Sequence, residues 1–599
     1  MSAPHPDHRE DYTPFVIIFV IVGLVAVVLV SVCAAGAVSG LLSGHGASWP
    51  HGTRGMLDAA KAVAHKPGDP AAGWPAPGNP GPAPLFWLCA VAIVVAAGYA
   101  AYRIAIRWMI HRHRDTYKER GLGGKDALET HELTMPAAVR RAHRTRAGLQ
   151  HLSVNDLDPA LTVARLGTDT ASGLDVAVQQ RDPIIVVSPT GGGKTWRVAT
   201  QRVWDAPAGA VVTSTRADLP AATIGDRLRR GHVAVFDPEG KTGLPNSLRW
   251  SLLAGCEDEE VAMRRATALV NAVPMGNSEN ADYFQGRAAT LLRCYLFAAA
   301  RAEKGLGDVR LWAASRSNKY VRDILGEHNP SWEAELIQAL DNEGRDVGPV
   351  ISTLMRTLGA LANPRLAAAM ERPAADCDDV GAMLLDPAQA NTMYLCSAAT
   401  GSDTAAPIVA TLAAELFHLA HEESQRRHDT GLMLDPPVRI IGDEFNNVAP
   451  IPAMNERITD SGGRGISLWL FVHNLLQCVQ RWGPVGGPQL LKNAAGRLIL
   501  PGISDEDELA GLEAVIGDRW ARIPGVPNPV RTPIMSRAEI RQLHEGQGLL
   551  LYRNAPATLL NLPTVFDHPD TKAEVAASTA LFRDIVTGTK TLATAGAYQ

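Results

Sequence analysis

Apolar residues are unevenly placed along this chain. Phe15 to Val38 runs for 24 residues without a charge and is dense in Val, Ile, Leu and Ala. At 1.5 Å per residue, a helix of that length exceeds a bilayer core of about 30 Å. A second charge-free run, Leu85 to Tyr102, has 18 residues. A secretion signal is the competing reading of the first run. Its apolar core is usually only about 7–15 residues and follows a basic segment, whereas Asp7, Arg9, Glu10 and Asp11 precede this one. The pattern predicts two transmembrane helices, residues 15–38 and 85–107. They are joined by an irregular extracytoplasmic loop, 39–84, rich in Gly and Pro.

Arg103, Arg107, Arg112 and Arg114 follow the second run with no acid among them. From Arg103 to Arg146 eleven Lys/Arg stand against five Asp/Glu, a net of +6. Positive flanks stay in the cytoplasm, so residues 1–14, the basic flank and everything beyond it are expected inside the plasma membrane. Residues 108–180 read as a membrane-proximal basic linker near anionic headgroups, in preference to a DNA-binding arm.

From Asp182 the pattern changes to short apolar runs alternating with longer helical ones. Strands are predicted at 184–187, 210–214, 233–237, 392–397, 438–442, 467–472, 497–501 and 548–552. Unbroken Val/Ile/Leu runs suit strands buried on both faces of a parallel sheet, which makes the fold class α/β. No strand pattern occurs from about Cys256 to Gln389, where 257–272, 283–303, 331–342 and 350–362 have helical spacing. The expected division is a first nucleotide-domain part at 181–255, an all-helical insert at 256–390, a second part at 391–565 and a mobile tail at 566–599.

Over 599 residues the chain is 46% hydrophobic and 20% charged with a net charge of −5. This excludes a disordered chain and a constitutive DNA-coating protein, but not a motor that touches DNA in a pore. Seven widely spaced cysteines without a CxxC pair argue against a zinc knuckle or a disulfide scaffold.

The strongest chemistry is the run Ile184-Ile-Val-Val followed by Ser188, Pro189, Thr190, Gly191, Gly192, Gly193, Lys194 and Thr195. A strand entering a Gly-rich turn, then Lys-Thr and a helix, can wrap backbone N–H groups around phosphates. Lys194 is placed to reach the β- and γ-phosphates of ATP, and Thr195 to hold Mg²⁺. Ser188 departs from the Gly expected at that position. Asp443 and Glu444 end an apolar strand, as the Mg²⁺-shell acid and the water-polarising base do in such enzymes. Arg464, on a Gly-flanked turn, is either an arginine finger for a neighbouring subunit or a surface turn residue. His473-Asn474 ends the next strand and reads better as a capping pair than as a phosphate sensor.

In order and motifs, residues 15–565 resemble the type IV secretion coupling proteins, the TraG/TraD-like conjugative DNA-transfer ATPases. Further similar segments are Val211–Leu219, Cys396–Ser402 with Ala406-Pro407-Ile408, and Gly546–Arg553. Arg216-Ala217-Asp218 departs from the family's Lys-Gly-Glu turn, and His473 from its usual Gln. The Gly/Pro-rich style fits a Gram-positive, actinobacterial relative. The resemblance implies a RecA-like P-loop NTPase domain with an inserted all-α domain behind two transmembrane helices. It also implies a homo-hexamer that hydrolyses ATP and passes single-stranded DNA with its relaxase to a type IV secretion channel. In this family the helical insert faces the cytoplasm and meets the relaxosome. The alternatives are an FtsK-like double-stranded DNA translocase and a non-hydrolysing membrane scaffold. Too few residues follow Val565 for the former's usual DNA-reading module, and the intact acids argue against the latter.

Overall fold

The computed structural model describes residues 13–75, 78–273, 280–315, 318–341, 347–398, 404–449, 451–523 and 526–593. Thr400, in a segment quoted for the resemblance, lies outside them. The chain divides into two compact units, residues 1–113 and 114–599.

In the first unit, helices Thr13–Leu42 and Gly52–His65 precede the start of helix Ala83–Arg120. Among the described residues, one helical stretch, Ala83–Ile104, is long and apolar enough to cross a bilayer. The other expected span lies on Thr13–Leu42, where the side chains of residues 13–25 are outside the described ones and the apolar remainder, Ala26–Leu42, is shorter. The intervening loop is not irregular throughout, because it contains the 14-residue helix Gly52–His65. Ala35, Ala59, Val63, Trp74, Phe86 and Cys89 form a small core. Gly36 is required there: a Cβ would stand 2.3 Å from the Trp74 ring.

The second unit is built on an eleven-stranded sheet in the order β2-β1-β13-β12-β9-β3-β8-β7-β4-β6-β5. The strands are β1 Val163–Asp169, β2 Asp175–Gln179, β3 Ile184–Val187, β4 Ala210–Ser214, β5 Val233–Phe236, β6 Thr392–Cys396, β7 Val438–Gly442, β8 Ile466–Val472 and β9 Gly496–Ile499. They are followed by β10 Asp518–Ala521, β11 Val530–Pro533, β12 Gln547–Tyr552 and β13 Thr558–Asn561, with β10 and β11 forming a separate hairpin. From β9 through β5 all neighbours are parallel. β3, β7 and β8 are buried along their whole length, as unalternating apolar runs demand. Between β5 and β6 the regular elements among the described residues are helices, packed around Tyr295, Phe297, Trp312 and Trp332.

Three further expectations are corrected. The strand at 548–552 is not parallel: β12 runs antiparallel to β9 and leads into the antiparallel edge β13-β1-β2. Residues 108–180 are not only a linker, since 163–169 and 175–179 extend the sheet and Arg146 is a buried partner of Asp435. The C-terminal segment is not a mobile tail. Helix Pro569–Val586 docks on helix Asp218–Arg230, where Ser578 Oγ accepts from Gly225 N at 3.0 Å and donates to Ala221 O at 2.7 Å.

Candidate nucleotide site

β3 and β7 are separated in the sheet by β8, and all three end at the same edge. That edge gathers three chain segments far apart in sequence: the Gly-rich turn after β3, Asp443-Glu444 after β7 and His473-Asn474 after β8. Ser188 is fully buried, and its N–H donates to Val472 O at 2.9 Å, tying the turn to β8. Gly191 and Gly193 have φ of +83° and +79°, the left-handed region where glycine carries no Cβ penalty. A Cβ on Gly192 would meet Ser188 Oγ at 2.7 Å and Pro189 O at 3.1 Å. The serine at 188 is thus accommodated by the glycine at 192. Thr190 is exposed on the turn, and Thr195 opens a π-turn, Thr195–Ala199, that continues as helix Thr200–Trp204.

Lys194 Nζ lies 3.2 Å from Asp443 Oδ1 and 3.5 Å from Glu444 Oε1. All three side chains are largely buried. Burial pushes the Asp443 carboxyl above the usual carboxylate range, and the Lys194 charge opposes that shift. Asp443 Oδ1 accepts no aligned hydrogen bond despite the nearby ammonium. It is a buried anionic oxygen open to a harder partner, the donor chemistry that suits Mg²⁺. Glu444 has φ +50° and ψ +44°, a conformation that costs a non-glycine residue about 1–3 kcal/mol. Phe445, fully buried and stacked on Trp482 with centroids 5.6 Å apart, anchors the chain beyond it. The strained turn aims the carboxylate back toward Lys194 and Thr215, whose Oγ1 donates to Glu444 Oε2 at 3.1 Å.

His473 Nδ1 lies 3.2 Å from Ser188 O, and Asn474 caps the next helix by accepting from Gln477 N at 2.9 Å. Beside the turn opens a cavity of about 420 Å³, lined by Thr190, His473, Asn474, Asp505 and Glu508 among others. A larger one, about 530 Å³, lies near Pro436 and Val438, where the parallel strands begin, and contains none of the motif residues.

The structure therefore joins the Gly-rich turn, Lys194, Asp443 and Glu444, and leaves Arg464 out. Arg464 precedes β8 at the opposite edge, about 23 Å away along a seven-residue strand, with Nε on Asp460 Oδ2 at 2.8 Å. Sequence reading missed Thr215, although it follows a predicted strand that neighbours β7. It also missed Arg197, which donates to Leu562 O at 2.7 Å and to Glu545 at 3.1 Å, binding the turn's helix to the antiparallel edge. No spacing signal connects residues that far apart.

Residues 437–522, from β7 through β10, match the protein family described as the TraM recognition site of TraD and TraG. Among solved structures, the chain is similar to the bacterial conjugative coupling protein TrwBΔN70 in complex with sulphate. Identity is 14% and the TM-score 0.52, covering 67% of this chain and 89% of that one. It is also similar to plasmid coupling protein TrwB with ADP and Mg²⁺ (14%, 0.50, covering 64% and 85%). The third likeness is to TrwB with the GTP analogue GDPNP (13%, 0.50, covering 64% and 86%). These likenesses establish a shared α/β fold. Comparison with curated proteins gives no match.

Proposed function

We propose that this TraG/TraD-like chain is an ATP-driven coupling protein of conjugative DNA transfer, recruiting single-stranded DNA with its relaxase to a type IV secretion channel. The observation that carries the reading is the convergence of Lys194 and its glycine turn on Asp443 and Glu444, the two acids lying within the residues 437–522 that match the TraD and TraG family model.

Backbone N–H groups of Gly191, Gly193, Lys194 and Thr195 cradle the phosphates, whereas those of Ser188 and Gly192 are held by Val472 O and Pro189 O and Pro189 has none. Lys194 exchanges its two carboxylate partners for phosphate oxygens, which releases Glu444 toward the attacking water. Thr195 and Asp443 would hold Mg²⁺, and the ion would supply charge neutralisation at the phosphates. Glu444 then takes the water's proton. Arg464 cannot serve its own protomer across the sheet, which supports a role at a neighbour's γ-phosphate in a homo-hexameric ring. The chain is anchored in the plasma membrane by two spans, with both termini and the second unit in the cytoplasm.

Steady-state ATP turnover by the full chain in nanodiscs, with and without single-stranded DNA, tests this. Turnover stimulated by DNA and abolished in Lys194→Ala is expected. Glu444→Gln should bind ATP without hydrolysing it. Unchanged turnover in Lys194→Ala refutes the site.

A further inference from the structure

The hairpin β10–β11 stands apart from the main sheet, between helices Glu506–Ile516 and Arg537–Arg541. Its register pairs Asp518 with Pro533, Arg519 with Thr532, Trp520 with Arg531 and Ala521 with Val530. Directly opposed residues share a face, so Trp520 and Arg531 stand on one face of the hairpin. That face is open: Trp520 exposes 74% of its surface and the Arg531 side chain 70%. Arg531 Nε is held by Asp518 Oδ2 at 2.8 Å, and Arg522, just past the strand, is exposed. Residues 518–533 hold one Asp and three Arg, a local net of +2 in a chain whose net charge is −5.

The indole is not an isolated apolar residue: Ile523, Val526 and Val530 of the same hairpin are exposed as well, and clustered open apolar surface marks an interaction site. Guanidinium groups around an open aromatic ring are the chemistry of single-strand recognition: a base stacks on the ring while the cations meet backbone phosphate. A duplex offers no unstacked base to such a ring. The hairpin also hangs from a helix whose first turn reaches the nucleotide side. Asp505 and Glu508 line the cavity beside the Gly-rich turn, and Glu508 Oε2 accepts from Leu475 N at 3.4 Å. Leu509, Leu512 and Ile516 bury the rest of that helix in the core, so it can carry displacement at the phosphates to the hairpin as one rigid piece.

We propose that the paired strands Asp518–Ala521 and Val530–Pro533 grip single-stranded nucleic acid, with Trp520 stacking on a base and Arg522 and Arg531 holding backbone phosphates. The assignment rests on the coupling-protein reading and names the part of the chain that meets the strand.

The test uses the full chain in nanodiscs, a fluorescein-labelled oligo(dT) and a duplex of equal length, read by anisotropy over a salt series. Trp520→Ala should weaken oligo(dT) binding about 5- to 150-fold, the range expected for one stacked base. Trp520→Phe should recover most of it, and the weaker duplex binding should not respond. Arg522→Gln with Arg531→Gln should reduce the slope of log affinity against log salt by about 1.4. Binding of a fluorescent ATP analogue should be unchanged throughout. Undiminished oligo(dT) affinity in Trp520→Ala overturns the hairpin assignment and leaves the coupling reading standing. Absence of oligo(dT) binding and of DNA-stimulated turnover in the unaltered chain overturns both. A change in oligomer mass with unaltered DNA affinity makes the hairpin a subunit contact and also overturns the assignment.

Discussion

Replacing Lys194 with Met removes a charge and keeps most of the side-chain volume. It leaves two carboxylates facing one another in a largely buried site, with Asp443 Oδ1 stripped of the cation now 3.2 Å away. At that distance, an effective dielectric of about 20 gives roughly 5 kcal/mol of attraction. Part of this is returned because Met has no charge to desolvate. Breaking a buried pair from one side usually costs about 3–5 kcal/mol, so a loss near 3 kcal/mol is expected. The sign with pH follows from Asp443. Burial already raises its folded-state pKa above the unfolded value, so the ionised carboxylate is the disfavoured form in the folded protein. The penalty is therefore absent at low pH and appears as pH rises through the folded-state pKa, which the substitution raises further. Urea unfolding of the full chain, followed by tryptophan fluorescence, should show a deficit for Lys194→Met at pH 8 that shrinks toward pH 5. Adding Asp443→Asn should recover most of the loss, because no uncompensated buried charge remains. A deficit that is independent of pH and persists in the double variant refutes the electrostatic account.

Gly192→Ala should weaken ATP-analogue binding about 10- to 100-fold, because its Cβ overlaps Ser188 Oγ at 2.7 Å. Ser188→Gly added to it should restore most of the affinity in the same titration. Arg439, fully buried, is pushed down to about 10 by burial and contacts Asp205, Gln180 and Arg202 O. Arg439→Met orphans those groups and should cost about 3 kcal/mol in urea unfolding without altering nucleotide affinity in the folded protein. Gly225→Leu drives a side chain into Ser578, whose Cα a Cβ would already meet at 3.1 Å. It should release helix Pro569–Val586, detected as a new protease-sensitive site before residue 569. Intact protection there means that the docking is dispensable.

The middle of the sheet was legible because burial on both faces writes itself as uninterrupted Val, Ile and Leu. β3, β4, β7 and β8 could be drawn from that alone. The edges were not legible. β1 and β2 interleave charges with apolar residues, β13 is four residues long, and the hairpin strands are half solvent-facing. Strand direction was equally hidden, since 548–552 has the composition of a parallel core strand and runs the other way. The amphipathic C-terminal helix gave too weak a signal to show that Gly225 had cleared a seat for it.

The glycine turn and the Asp-Glu strand end were readable because phosphate binding needs particular residue types at a fixed local spacing. Only the folded sheet decided that they meet, since it places 190s and 440s residues at one edge through β8, which joins neither motif in sequence. The same sheet sent Arg464 to the far edge, because strand polarity, not proximity along the chain, decides which end a turn occupies. Local chemistry is thus written in the sequence itself, whereas long-range strand pairing determines which pieces of it face one another.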